Sequence, residues 1–119
     1  MKAFDNKKSA ERFIYGVGFQ KYLTGGITIV SQAVTIALHP DHAGAESPLT
    51  LVTDSGVQLN STSMTILGQT VAIGQAILVA IKGGLAGVTY VVSFAATLSN
   101  GEIVYEDVEL HVTEFVPTP

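Results

Sequence analysis

The chain has 119 residues, enough for one domain with a real core and too few for two of ordinary size. It contains no cysteine, which excludes disulfide staples and thiolate metal sites. The net charge is −4 and five of the six basic residues fall in the first 21 positions, so there is no basic, aromatic-interleaved stripe for nucleic acid.

Residues 1–12 are polar and lack periodicity, and read as an N-terminal arm that is solvated or docks on a partner. They hold no apolar run of the kind a secretory signal needs. Residues 13–19, FIYGVGF, are β-branched and aromatic and predict a strand, with one helical turn over 20–23 before Gly25-Gly26. Residues 27–38, ITIVSQAVTIAL, alternate with a phase shift around Val30 to Ala33, which predicts a bulge or two short strands. Residues 39–48 are loop by composition, and Asp54-Ser55-Gly56 is a turn signal between brief strands. The apolar stretch 65–81 is interrupted by Gly68, Gln69, Thr70, Gly74 and Gln75. It falls short of the roughly 20 apolar residues of a membrane helix and reads as short strands around turns.

The last third is the plainest. Residues 89–98, TYVVSFAATL, alternate over their whole length, and Asn100-Gly101 marks a hairpin because type I′ turns need positive φ at both central positions. Residues 103–115 alternate again, with Ile103 and Tyr105 apolar in one phase and Val108, Leu110 and Val112 in the other, which predicts a second bulge. Pro117-Thr118-Pro119 cannot continue a ladder. Short strands punctuated by Gly, Pro and Asn predict an all-β, immunoglobulin-like antiparallel β-sandwich of about seven strands. The division is an arm at 1–12, the sandwich at 13–116 and a tail at 117–119.

Chemistry is sparse. His39 and His42, with Asp41 and Glu46, are the one imidazole-carboxylate cluster, and plain loop is the favoured reading over a metal site. No Gly-x-Ser-x-Gly elbow occurs, and His111 belongs to the polar face of a strand. Glu106 and Asp107 are adjacent on a strand and point to opposite faces, so they cannot share a substrate. Lys82-Gly83-Gly84 lacks the spacing and following helix of a phosphate loop. Asn60-Ser61-Thr62 matches a glycosylation sequon without a secretory context. These absences leave no catalytic, cofactor-binding or metal residue to name, and the chain is read as non-enzymatic. Tyr90, opening a strand after a glycine-rich loop, reads as the tyrosine that folds back onto the corner before it in such sandwiches.

Charged residues make up 13% of the chain, against about 25% in typical soluble domains. Residues 22–38, 55–81 and 83–101 carry no charge at all. A free monomer keeps itself soluble with mixed surface charge, whereas a subunit covered by neighbours avoids charges that would be costly to desolvate. The composition therefore favours a component of an assembly.

The run Lys82-Gly83-Gly84-Leu85-Ala86-Gly87-Val88-Thr89-Tyr90, then an alternating strand, the Asn100-Gly101 turn and a closing strand, resembles the small fibre-tail adaptor proteins of tailed bacteriophages. The aromatic strand from Tyr15 to Phe19, the segment ending at Leu23 and the following Gly26-Ile27-Thr28-Ile29 fit the same family. The chain departs from it at Gly16 and Gly18, where an aromatic or acidic cluster is usual. The resemblance implies a virion structural protein, made in the host cytoplasm, that joins fibres or spikes to the tail or head-to-tail connector. Its partners would be tail tube, connector or fibre subunits and further copies in a ring, with no nucleic acid, membrane or cofactor. A capsid decoration protein and a carbohydrate-binding immunoglobulin-like module are the alternatives. The second usually shows a planar aromatic patch, and this chain has no tryptophan.

Overall fold

The computed structural model describes residues 2–4, 7–8, 11–40, 51–54, 56–66 and 68–113. The expected tail 117–119, the strand end at Phe115, Ser55 of the turn and most of the loop 39–48 lie outside these residues. The described chain forms eleven strands: β1 (Lys2–Ala3), β2 (Lys7–Lys8), β3 (Arg12–Gly18), β4 (Ile29–Leu38), β5 (Leu51–Thr53), β6 (Gln58–Leu59), β7 (Met64–Ile66), β8 (Gln69–Val71), β9 (Ala76–Gly83), β10 (Thr89–Leu98) and β11 (Ile103–Thr113). A 3-10 turn at Gln20–Tyr22 stands where one helical turn is expected, and a second follows at Thr24–Gly26.

One sheet runs β4-β10-β11, with β1 and β2 laid parallel along the far edge of β11. The other runs β3-β9, with β5 and β6 both antiparallel on the far edge of β9. Seven antiparallel strands thus build the sandwich, and β1 and β2 bring it to nine. Grouping β3-β9-β5 against β4-β10-β11 reproduces the B-E-D and C-F-G division of the immunoglobulin sandwich. The β7–β8 hairpin pairs with neither sheet.

The core forms because alternation on each long strand sends one set of side chains inward. Tyr90, Val92, Phe94, Ala96 and Leu98 of β10 meet Val108, Leu110 and Val112 of β11, facing Tyr15, Val17, Ile77, Val79 and Ile81 of the opposite sheet. Each fully buried Val, Leu, Ile or Phe contributes about 1.5–3 kcal/mol.

The bulge on β4 is present. Thr97 pairs with Ser31 but Leu98 with Ile29, so Val30 is the extra residue and is turned outward. The second expected bulge is absent: β11 holds one register with β10 from Ile103 to His111. The phase is continuous because Glu106 takes an inward position, while Ile103 and Tyr105 lie on the outer face. In the sequence an inward carboxylate has the same appearance as a change of face.

The hairpin also closes differently from the expected type I′ turn. Gly101 N–H donates to Leu98 C=O at 2.9 Å and Leu98 N–H to Glu102 C=O at 2.8 Å, leaving a three-residue loop with Gly101 at φ 91°. Asn100 serves from its side chain, its Oδ1 accepting from Glu102 N–H at 3.0 Å.

Residues 2–4 and 7–8 are docked rather than free. Lys2 and Ala3 pair with Val108 and Glu109, and Lys7 and Lys8 with Val112 and Thr113. Phe4 enters the core, its ring centroid 4.7 Å from that of Tyr15 and 6.0 Å from that of Phe94.

Candidate attachment surfaces

The corner between β9 and β10 is built inward. Tyr90 Oη accepts the N–H of Leu85 at 2.8 Å, the fold-back read from the sequence. Gly87 N–H donates to Val112 C=O at 2.7 Å. Gly84 has φ 103°, and a Cβ there would stand 2.6 Å from Val112 Cγ2, so only glycine fits. Lys82 Nζ is held by Asp54 Oδ1 at 2.8 Å, and Gly83 C=O accepts from Lys7 Nζ at 2.7 Å. The loop's polar groups are therefore engaged in closing the sandwich, and Leu85 stands exposed at its tip.

The basic residues follow the same logic. Lys7 is fully buried, and burial pushes its ammonium below the ordinary lysine value, with Glu11 opposing. Arg12 and Lys82 both pair with Asp54, and these hydrogen bonds hold the Asp54 carboxyl below its usual range. Lys21 Nζ lies 3.0 Å from Glu106 Oε1, which raises the lysine and explains an inward carboxylate on β11. Lys7, Arg12 and Lys21 of the expected docking arm and its surroundings thus have intramolecular partners.

Of the candidate metal cluster, Asp41, His42 and Glu46 lie outside the described residues. His39 Nε2 lies 3.1 Å from Glu109 Oε1. Among the described residues no three His, Cys, Asp or Glu side chains come together. His111 sits on the outer face, its Nδ1 2.8 Å from Thr89 Oγ1 across the strands. Asp107 points outward and Glu106 inward, as adjacent strand residues must. Asn60 is buried: its Nδ2 donates to Thr62 C=O at 2.8 Å and Ala72 C=O at 2.9 Å, while its Oδ1 accepts Ala76 N–H at 3.0 Å. The sequon asparagine is a brace for the 60–76 excursion, a role that nothing in Asn-Ser-Thr announces.

Among the described residues two surfaces remain bare. The outer face of the first sheet presents Ser31, Ala33, Thr35 and Ala37 of β4 beside the odd-numbered residues of β10, all uncharged. At one end it is bordered by Ile103 and Tyr105, 58% and 62% exposed, and at the other by Asp107 and Glu109. Tyr105 stands in line with Ala95 and Ala33, so the aromatic ring adjoins a smooth small-residue floor. The second is a groove of about 410 Å³ beneath the β7–β8 hairpin, between Met64 and Ile66 on one side and Ile14, Gly16 and Leu78 on the other. Gly16 and Gly18 make this packing possible: a Cβ at Gly16 would stand 2.5 Å from Leu78 Cδ2, and one at Gly18 2.8 Å from Val71 Cγ2. The departure at these two positions thus has a structural cause.

An uncharged sheet face with an aromatic border suits protein contact. A comparison with curated proteins gives no match. The sequence pattern of the podophage GP4 fiber-tail adaptor protein gp77 family, however, matches residues 7–111, spanning β2 to the end of β11 but for its last two residues. The chain belongs to that fibre-tail adaptor family, and its role is a structural one associated with the phage tail.

Proposed function

We propose that this protein is a non-enzymatic joint of the virion, fixing tail fibres or spikes to the tail or the head-to-tail connector and present there in several copies. Membership of the fibre-tail adaptor family carries the reading. The outer face of β4 and β10, bare among the described residues, supports it, because small uncharged residues beside the exposed Tyr105 are inexpensive to desolvate. The partners are tail tube, connector or fibre subunits, met in the virion after synthesis in the host cytoplasm. Among the described residues no helix is long and apolar enough to cross a membrane.

The docked residues 2–4 and 7–8 serve in this reading to stiffen one edge of the sandwich, which then acts as a rigid spacer. Light scattering of the chain mixed with tail and fibre proteins of its own phage tests the role. A complex that Tyr105→Asp weakens at least tenfold, with the variant's melting temperature unchanged, is the expected result. Retention on a polysaccharide with no tail-protein complex would instead favour the carbohydrate-binding alternative, and binding to the assembled head shell the capsid decoration one.

A further inference from the structure

Among the described residues, each flank of the sandwich has one sheet edge that is broken up and one that is open. Phe4 on Tyr15 places β1 and β2 on the same flank as β3, while the bond from Gln32 Nε2 to Val57 C=O, 3.4 Å, places β4 on the flank of β5 and β6. On the first flank, the edge of the β11 sheet is covered by two-residue pieces, and β3 is the long edge of the other sheet. On the second flank, β5 and β6 are short, and β4 is long. Among the described residues no strand pairs with the outer edge of β3 or of β4.

The ladder phase fixes which groups those edges offer. His39 N–H donates to Thr89 C=O, so the odd-numbered residues of β4 bond to β10, and Gln32, Val34, Ile36 and Leu38 direct N–H and C=O outward. Phe19 N–H donates to Gln75 C=O, so Phe13, Tyr15 and Val17 bond to β9, and Arg12, Ile14, Gly16 and Gly18 face outward. The β7–β8 hairpin lies over the face of β3 and is not paired with its edge.

Proteins normally protect open edges with lysines, prolines, bulges or short strands. Strand β4 has ten residues, none charged and none proline, and its one bulge lies at the far end, at Val30. On β3 the one charge, Arg12, is paired with Asp54 within the chain. We propose that copies of this chain associate head to tail, the β3 edge of one adding to the β4 edge of the next. The two edges occur once each per chain, on opposite flanks and in different sheets, and bring no like charges together. Pairing β4 with β4 would leave β3 uncovered. A head-to-tail contact is heterologous and closes into a ring when its rotation allows. This deepens the several-copies part of the proposed role without sharing its fate: a chain that stays monomeric yet binds a tail protein overturns the pairing and leaves the role standing.

The test is mass by light scattering over a concentration series for the wild type, Val34→Pro, Ile14→Pro and their equimolar mixture. Each proline removes an outward N–H and no intramolecular ladder bond. The expected result is a concentration-dependent oligomer for the wild type and 12.5 kDa monomers for each variant. The mixture should give a species of twice that mass, because only one pair of intact edges remains. A wild type that is monomeric throughout, or an Ile14→Pro variant that still dimerises alone, overturns the proposal. Hydrogen exchange on the wild type requires no variant to fold. The amides of Val34, Ile36 and Ile14 should become protected as concentration rises, and unchanged exchange at all three in an oligomer overturns the pairing.

Discussion

The central strands of the two sheets, β9 and β10, do the same structural work in different surroundings. Along β9 five of the first six residues are buried, Ala76, Ile77, Val79, Ala80 and Ile81, whereas β10 buries every second residue. The outer face of β9 adjoins the β7–β8 hairpin, which settles over Gly16, Gly18 and Leu78. Nothing among the described residues lies over the outer face of β10. A strand covered on both sides reads as a continuous apolar run, and one covered on a single side alternates. The difference shows which sheet has its outer face covered from within the described chain and which does not.

Removing the core side of the open sheet tests that contrast most severely. Phe94→Ala should cost about 3–5 kcal/mol in urea unfolding, while Tyr105→Ala on the adjacent strand should change stability by about 0.5 kcal/mol or less. Equal losses at the two positions would mean that the outer face is not bare. Next in size is the hairpin cover. Gly18→Ala forces a methyl against Val71 and should cost about 1–3 kcal/mol, with faster proteolysis between Ser61 and Gly74. Unchanged cleavage would separate the hairpin from the burial of β9.

A smaller effect is expected at the corner joining the two strands. Tyr90→Phe leaves Leu85 N–H without its acceptor and should lower stability by about 1–2 kcal/mol. The weakest effect is electrostatic. Lys7 binds its proton less tightly folded than unfolded, so the unfolded chain holds more protons in the window below the ordinary value of 10.5. Stability therefore rises with pH through that window and levels off above it. Lys7→Met should flatten this rise while leaving the acid limb alone, and a wild type with no alkaline gain would contradict the assignment.

Legibility in the sequence followed the same division. Strand β10, the bulge at Val30 and the Tyr90 fold-back were readable because each depends on residues close in sequence. Glu106 hides the phase of β11 because its ion-pair partner, Lys21, is 85 positions away in sequence. The docking of β1 and β2 was invisible for a related reason: two-residue parallel strands have no period of their own. Gly101 marked the hairpin correctly but took the position after the turn's central pair. The bare face and open edges were foreshadowed only as missing charge, since a composition cannot say which neutral residues share a surface.

The parallel docking of β1 on β11 also sets an order of events. Lys2 lies beside Val108, so the contact that seats Phe4 in the core joins segments more than a hundred residues apart. Such closures are slow, because the intervening chain must be ordered before the contact forms. During synthesis the bond from Phe4 N–H to Glu109 C=O cannot form until β11 has left the ribosome. The pairing of β1 with β11 is therefore among the last contacts that the emerging chain can make.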